Sequence, residues 1–434
     1  MIFKSEQVTD QWDTWCFHHD GTYFLYYLIS GDRLGEGFGV ATSADGVHYD
    51  DQGWALRASS QMVRYLGTGA VWKAPDFDRS GLFVCNYSEW RQDPNGRETQ
   101  NILFAWSTDL VEWHKFGDEH MFRADEWHYD KYGRWDCIYP MPRAEGGYYG
   151  IWTAAPMALG YTEDGLTWHA MEPPTFEPEA TEAGAFWPIG DRVYAMLGGN
   201  GAMWSYVADN VAGPYRRSPK NPCLLNAGNT YFSRFLATPE GLLVNHHSMS
   251  PGGVYAAPLK RAEVDSEGTL RLQYWEGNEA LKGEEVAVLS NGPATPAMML
   301  VTDYLNFRTG IVAEGTIQMP LAMGEVAGVY LYAGATGFAV RLLPGGVAEI
   351  GQMDAFGDYW GPQQRVDREW SFPPNPRFRL LARRGMMEFY LDEQLIECQQ
   401  LTGTGAVERA RIGVIGPRDA VQDLRAWEMS LPSD

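Results

Sequence analysis

Short apolar runs separated by turn residues make up the chain as far as about residue 285, and helical periodicity is nearly absent there. Thr22-Tyr-Phe-Leu-Tyr-Tyr-Leu28, Gly81-Leu-Phe-Val-Cys-Asn-Tyr87, Tyr148-Tyr-Gly-Ile-Trp152 and Arg192-Val-Tyr-Ala-Met-Leu197 have the length, the aromatic content and the flanking turn residues of buried strands. One phrase recurs among them: Phe38-Gly-Val-Ala-Thr-Ser-Ala-Asp-Gly-Val-His-Tyr49, Phe104-Ala-Trp-Ser-Thr-Asp-Leu-Val-Glu-Trp113 and Leu159-Gly-Tyr-Thr-Glu-Asp-Gly-Leu-Thr-Trp168. A looser copy is Met203-Trp-Ser-Tyr-Val-Ala-Asp-Asn-Val-Ala-Gly-Pro-Tyr215. Each copy reads as an apolar strand, a turn built on an aspartate, and an aromatic residue opening the next strand. The copies are about 45 to 65 residues apart, the spacing expected of four-stranded propeller blades.

A fifth unit is assembled from Tyr231–Leu236, Gly241–His246 and Gly253–Ala257, with its repeat phrase degraded. The prediction is therefore an all-β chain with a five-bladed β-propeller over residues 1–288, six blades being the alternative. Beyond Glu285 the phrase does not return. Thr309–Gln318, Gly328–Tyr332, Phe338–Leu343, Ala410–Ile415 and Asp423–Leu431 are spaced as in a β-sandwich. Phe378–Arg383 and Met387–Asp392 form a hairpin across Arg384-Gly385-Met386. The second domain is placed at 289–434, after a turn cluster at Ser290-Asn-Gly-Pro-Ala-Thr-Pro296.

Composition narrows the chemistry. The formal net charge of −22 argues against a nucleic-acid partner, since phosphate contacts need a basic surface. No apolar run approaches the roughly 18 residues of a membrane span, and the N-terminus has no signal-like apolar core. The 434-residue chain carries 17 Trp, 23 Tyr and 19 Phe, the side chains that stack on sugar rings as well as fill β-cores. Five widely spaced cysteines, Cys16, Cys85, Cys137, Cys223 and Cys398, contain no CxxC pair and suggest neither a disulfide framework nor zinc. The expectation is a cytoplasmic protein with a neutral oligosaccharide or glycoside as its ligand, without cofactor or metal. A homo-oligomer is compatible with the sequence.

Three acidic residues stand at comparable places in the repeats, each in aromatic, turn-rich surroundings. Asp13 lies in Gln11-Trp-Asp-Thr-Trp15, Asp136 in Gly133-Arg-Trp-Asp-Cys-Ile-Tyr-Pro140, and Glu182 in Thr181-Glu-Ala-Gly-Ala-Phe-Trp-Pro-Ile189. The innermost strands of a propeller line its central channel, so equivalent positions in different blades converge. Two carboxyl groups facing one sugar are the equipment of glycoside hydrolysis. The structural alternative is that each acid caps a turn. Trp12, Trp15, Arg64, Trp72, Asp76, Glu89, Trp90, Arg91, Trp152, Trp187, His246 and His247 could read hydroxyls or stack on a ring, against a structural role for each. His246 and His247, adjacent on a strand, face opposite ways and do not form a metal pair.

At these motifs the chain resembles the clan of invertases, inulinases and levansucrases, glycoside hydrolase families 32 and 68. Trp12-Asp13-Thr14-Trp15 resembles the levansucrase nucleophile motif, and Asp20–Tyr27 the strand that follows it in invertases. Gly67-Thr-Gly-Ala-Val71 is similar to a Ser-Gly-Ser-Ala-Val segment, Asn101–Trp113 to the strand-turn-strand preceding an Arg-Asp-Pro motif, and Phe378–Asp392 to part of the C-terminal sandwich. The chain departs from the pattern at Arg134-Trp135-Asp136-Cys137, in place of Arg-Asp-Pro, and at Glu182-Ala183-Gly184, in place of Glu-Cys-Pro. The resemblance implies a retaining β-fructofuranosidase-like enzyme. Asp13 would be the nucleophile, held ionised; Asp136 would hold sugar hydroxyls; Glu182, with a raised pKa, would be the acid/base. The alternatives are an inverting arabinanase or xylosidase-like propeller enzyme and a catalytically silent sugar-binding propeller.

Overall fold

The recurring phrase is one hydrogen-bonding device used three times. The Asp45 carboxylate accepts the backbone N–H groups of Val47 and His48, each at 2.9 Å. Asp109 does the same for Val111 and Glu112 at 2.9 Å, and Asp164 for Leu166 and Thr167 at 2.8 and 2.6 Å. In each turn a hydroxyl two residues earlier, on Ser43, Ser107 or Thr162, accepts one further N–H at 2.9, 2.9 and 3.0 Å. Short polar side chains next to a chain reversal satisfy its backbone donors in this way. The third strand of a blade thus passes into the fourth at the same point each time.

The computed structural model describes residues 1–434 apart from 31–34, 124–133, 156, 181, 221–222, 227–229, 251–252, 334–335, 368–371, 404–406, 418 and 433–434. Packing divides it into two units, one of Phe3–His247 and Val254–Leu270, the other of Met1–Ile2, Ser248–Gly253 and Arg271–Asp434. The packing boundary thus falls at Leu270–Arg271, ahead of the change in sequence character placed near residue 288. Among the described residues no helix is long and apolar enough to cross a membrane.

In the first unit, β1 (Asp10–His19), β2 (Thr22–Ser30), β3 (Gly37–Ser43) and β4 (Asp50–Arg57) form one antiparallel sheet in sequence order. The next comprises β5 (Leu66–Lys73), β6 (Phe83–Gln92), β7 (Glu98–Ser107) and β8 (His114–Lys115). The third is β9 (Asp136–Pro142), β10 (Tyr148–Thr153), β11 (Ala158–Thr162) and β12 (Trp168–Ala170). In the fourth, β14 (Glu182–Ile189), β15 (Arg192–Gly199), β16 (Ala202–Ala208) and β17 (Tyr215–Arg217) are joined by the short β13 (Phe176–Glu177) and β18 (Cys223–Leu225).

The propeller therefore has four blades, where the repeats predict five. The strands expected to make the fifth, β19 (Thr230–Thr238), β20 (Gly241–Ser250) and β22 (Lys260–Val264), with β21 (Gly253–Ala256) on β20, do not form a separate four-stranded sheet in this unit. The chain leaves the unit at Leu270. β19 still closes the ring, packing between β14 and β1, while β5 and β9 complete it. Aromatic residues tie the first blade to the second and the second to the third: Tyr26 donates to Leu110 O at 2.7 Å, and Trp72 Nε1 to Gly165 O at 3.0 Å.

The second unit is a sandwich of two antiparallel sheets. One contains β23 (Leu270–Tyr274), β24 (Lys282–Val286), β27 (Ile311–Ile317), β32 (Arg377–Arg383), β33 (Met386–Leu391), β34 (Gln394–Gln400) and β36 (Val421–Met429). The other contains β25 (Met298–Leu300), β26 (Leu305–Asn306), β28 (Ala327–Ala333), β29 (Thr336–Leu343), β30 (Val347–Met353), β31 (Trp360–Asp367) and β35 (Arg409–Ile415). Ile311, Leu380 and Phe389 from the first sheet share one core with Val329, Phe338, Ile350 and Ile412 from the second. The predicted hairpin turns at Arg384 and Gly385, both with positive φ (50° and 76°), which matches the right-handed twist of its strands.

Candidate active site

The innermost strands β1, β5, β9 and β14 each have a defect in their pairing near the start, and the acidic residues sit at or beside those of β1, β9 and β14. Trp12 pairs with Leu28 and Thr14 with Tyr27, so Asp13 is an extra residue in β1, with φ of 20°. The register shifts again between Gly67 and Ala70 in β5, opposite Cys137 and Ile138 in β9, where Cys137 has φ of 54°, and between Ala183 and Ala185 in β14. A bulge bends its strand and re-aims the neighbouring side chain out of the strict in–out alternation. That is how acids from β1, β9 and β14 come to face one space.

Their convergence is visible in their electrostatics. Burial pushes the Asp13 carboxyl up to about 7, with the charges of Asp136 and Glu182 adding to the rise and those of Arg234 and Arg134 opposing it. Burial likewise raises Asp136, against the pull of Arg134 and a hydrogen bond from Ser88. The Asp13 side chain keeps 16 % of its surface exposed and Glu182 24 %, so the cluster is open on one side. Asp13, expected to be held ionised, is instead raised toward neutral pH by its burial and by the neighbouring acids.

Arg134 organises the other two acids. Its Nη1 and Nη2 donate to the two Glu182 oxygens at 2.6 and 3.1 Å, a bidentate pair, and Nη2 lies 3.6 Å from Asp136 Oδ2. Thr153 Oγ1 donates to Glu182 Oε2 at 3.4 Å. Ser88 Oγ donates to Asp136 Oδ1 and accepts from Gln100 Nε2 at 2.8 Å. Gly67 is required beside them, because a Cβ there would collide with Ser88 Oγ and come within 2.7 Å of Asp136 Oδ1.

On the other side of Asp13, His247 Nδ1 lies 3.5 Å from Oδ1, and the Trp12 ring is 5.5 Å from the imidazole. Burial pushes His247 down to about 3, so it is neutral at ordinary pH. Asn245 Nδ2 donates to Thr14 O at 2.9 Å, fixing the strand beside Asp13. Tyr65, whose hydroxyl is raised by burial and then by the Asp136 charge, stands near the acids. Its ring centroid is 6.0 Å from that of Trp90, over which Arg64 lies at 4.6 Å.

Asp13, Asp136, Glu182, Trp12 and His247 therefore come together, with Trp90 and Arg64 near Tyr65. The other predicted residues do not join them. Trp15 stacks on Tyr26 within the core shared by the first two blades. Trp72 and Trp152 are buried in the core between the second and third blades. Glu89 is fully buried, accepting the Ser59 N–H at 2.7 Å and pairing with Arg91 at 2.8 Å. Asp76 binds Arg79 at 2.7 Å at the surface. Trp187 lines a cavity farther along the innermost strands, and His246 turns its Nδ1 to His247 O at 3.0 Å.

Sequence reading missed Arg134, Tyr65, Ser88, Gln100, Thr153 and Arg234. For Arg134 a signal existed, since an arginine stands just ahead of the second acid. The intervening Trp135 is buried against Trp152, their ring centroids 5.1 Å apart, which leaves Arg134 and Asp136 both in the site.

The fold is that of the propeller-and-sandwich structures of glycoside hydrolase family 32. Among them, the sucrose-6-phosphate hydrolase of Lactobacillus gasseri superposes with a TM-score of 0.72 at 12 % identity, covering 97 % of this chain and 91 % of that one. A GH32 β-fructofuranosidase of Bombyx mori gives 0.72 at 12 % identity, covering 99 % and 93 %. Fructan 1-exohydrolase IIa of Cichorium intybus gives 0.69 at 13 %, covering 99 % and 96 %. No protein-family model and no curated protein matches the sequence.

Proposed function

We propose that this chain is a glycoside hydrolase acting on furanosides, a retaining β-fructofuranosidase-like enzyme for fructose-containing oligosaccharides. The observation that carries the reading is the convergence of Asp13, Asp136 and Glu182 from three innermost strands, on a fold shared with enzymes of that kind. In this reading, ionised Asp13 attacks the anomeric carbon as Glu182 gives a proton to the departing glycosidic oxygen, leaving a glycosyl ester on Asp13. Glu182 then takes a proton from water, which opens the ester and returns Asp13 as a carboxylate. Asp136 binds sugar hydroxyls, and Arg134 positions Glu182 through its two hydrogen bonds.

The test is hydrolysis of sucrose, fructose oligosaccharides and 4-nitrophenyl furanosides, with the anomer released followed by NMR. Retained configuration is expected. Inversion would replace the Asp13 ester with direct attack by water, and sugar binding without turnover would leave only a binding propeller. Glu182→Gln should slow natural substrates by roughly 10²-fold or more, and slow the first step far less for a nitrophenolate that departs without a proton. Equal losses on both would remove Glu182 from the acid role.

A further inference from the structure

The innermost strands carry a second feature beyond the carboxylates. Farther along these strands than the acids, a cavity of about 220 Å³ opens. Its walls are Trp15 on β1, Tyr139 on β9, Trp187 on β14, and Arg234 and Phe235 on β19. Pro142 and Ala237 line it as well and are exposed, so the cavity reaches the surface.

Arg234 is the anomaly in this lining. It is 1 % exposed, and its Nε, Nη1 and Nη2 have no hydrogen-bond acceptor among the described residues. The guanidinium lies 4.3 Å over the Phe232 ring and 5.6 Å from that of Tyr139, contacts that hold its flat face and leave its N–H groups unanswered. Trp15 Nε1, also buried, has no acceptor either. A desolvated cation without a bonded acceptor is strongly unfavourable, and Asp13, the acid whose charge Arg234 acts on, accepts no hydrogen bond from it. Lys73, a second cation, lies in the same lining.

We propose that this cavity binds a small organic carboxylate, its carboxyl group on the Arg234 fork and its apolar body against the aromatic walls. The planar guanidinium presents paired donors that match a carboxylate's two oxygens. Sulfate or phosphate would press further charged oxygens against Trp15, Trp187 and Phe235. The cavity is also smaller than the roughly 300–1,000 Å³ of ordinary ligand sites, which limits the guest to a small molecule and excludes an oligosaccharide.

Benzoate is the probe, added to the full chain in sugar-free buffer and followed by tryptophan fluorescence and by the shift in unfolding temperature. Saturable binding is expected with a dissociation constant below about 1 mM. Arg234→Gln should weaken it at least about tenfold and Arg234→Lys less, with circular dichroism confirming that each variant is folded. Chloride and phosphate at the same concentrations should give no saturable change. Absence of any saturable response to benzoate or acetate in the unmodified protein overturns the proposal, whether or not the variants fold. So does chloride or phosphate binding as tightly as benzoate, or unchanged binding in folded Arg234→Gln. No sugar turnover enters the measurement, so its outcome is independent of the proposed hydrolysis.

Discussion

Replacing Asp13 with Asn should make the protein more stable above neutral pH while abolishing turnover. The Asp13 carboxyl is raised from 3.8 to about 7 in the folded chain, so the native state holds a proton that the unfolded state has released. A group raised in this way contributes its full stability below its unfolded value and loses it as pH climbs through the folded one. Each pH unit in that window costs about 1.4 kcal/mol. From pH 5 to just above pH 7 the loss is therefore about 3 kcal/mol, and Asn, which does not titrate, avoids it. At roughly 2 °C per kcal/mol for a unit of this size, the Asn variant should gain about 6 °C over the original protein between pH 5 and pH 8. Differential scanning calorimetry of both proteins across that range gives the comparison directly. A gap that is the same at pH 5 and pH 8, or an Asn variant that is the less stable at pH 8, would refute the burial-driven rise at Asp13.

The same titration sets the acid side of catalysis: kcat/KM should fall as pH drops through about 7, because the attacking oxygen must be ionised. A profile flat from pH 5 to 8 contradicts this. Gly67→Ala should displace Asp136 and Ser88, with which its Cβ collides, costing about 1–3 kcal/mol of stability and most of the activity; an unchanged kcat would show that the Asp136 position is dispensable. Arg134→Gln removes two charge-assisted hydrogen bonds to Glu182, each worth about 1.5–3 kcal/mol, and should lower kcat/KM by tenfold or more. Steady-state kinetics showing a loss below twofold would separate Arg134 from the reaction.

The sequence alone determined what local chemistry determines. The aspartate turns of the repeat were legible because a carboxylate beside a chain reversal accepts the next backbone N–H groups, and the structure shows the device at Asp45, Asp109 and Asp164. The hairpin through Arg384 and Gly385 was legible for the same reason: its turn depends on the two residues that make it. Repetition of the phrase made the propeller readable, and with it the three acids at equivalent places.

Tertiary structure decided the rest. The blade count came out at four because strand pairing beyond β22 depends on where the chain leaves the unit, which no repeat phrase encodes. Trp15, Trp72 and Trp152 are as aromatic as any sugar platform, and only their packing against Tyr26, Trp168 and Trp135 identifies them as core. Asp13 was found from its neighbours in sequence, but its proton affinity depends on Asp136, Glu182, Arg134 and Arg234, brought beside it from three other strands and a loop. Charges and cavities sum over space rather than along the chain, so the raised carboxyl and the unpaired guanidinium of Arg234 became visible only once the innermost strands closed their ring.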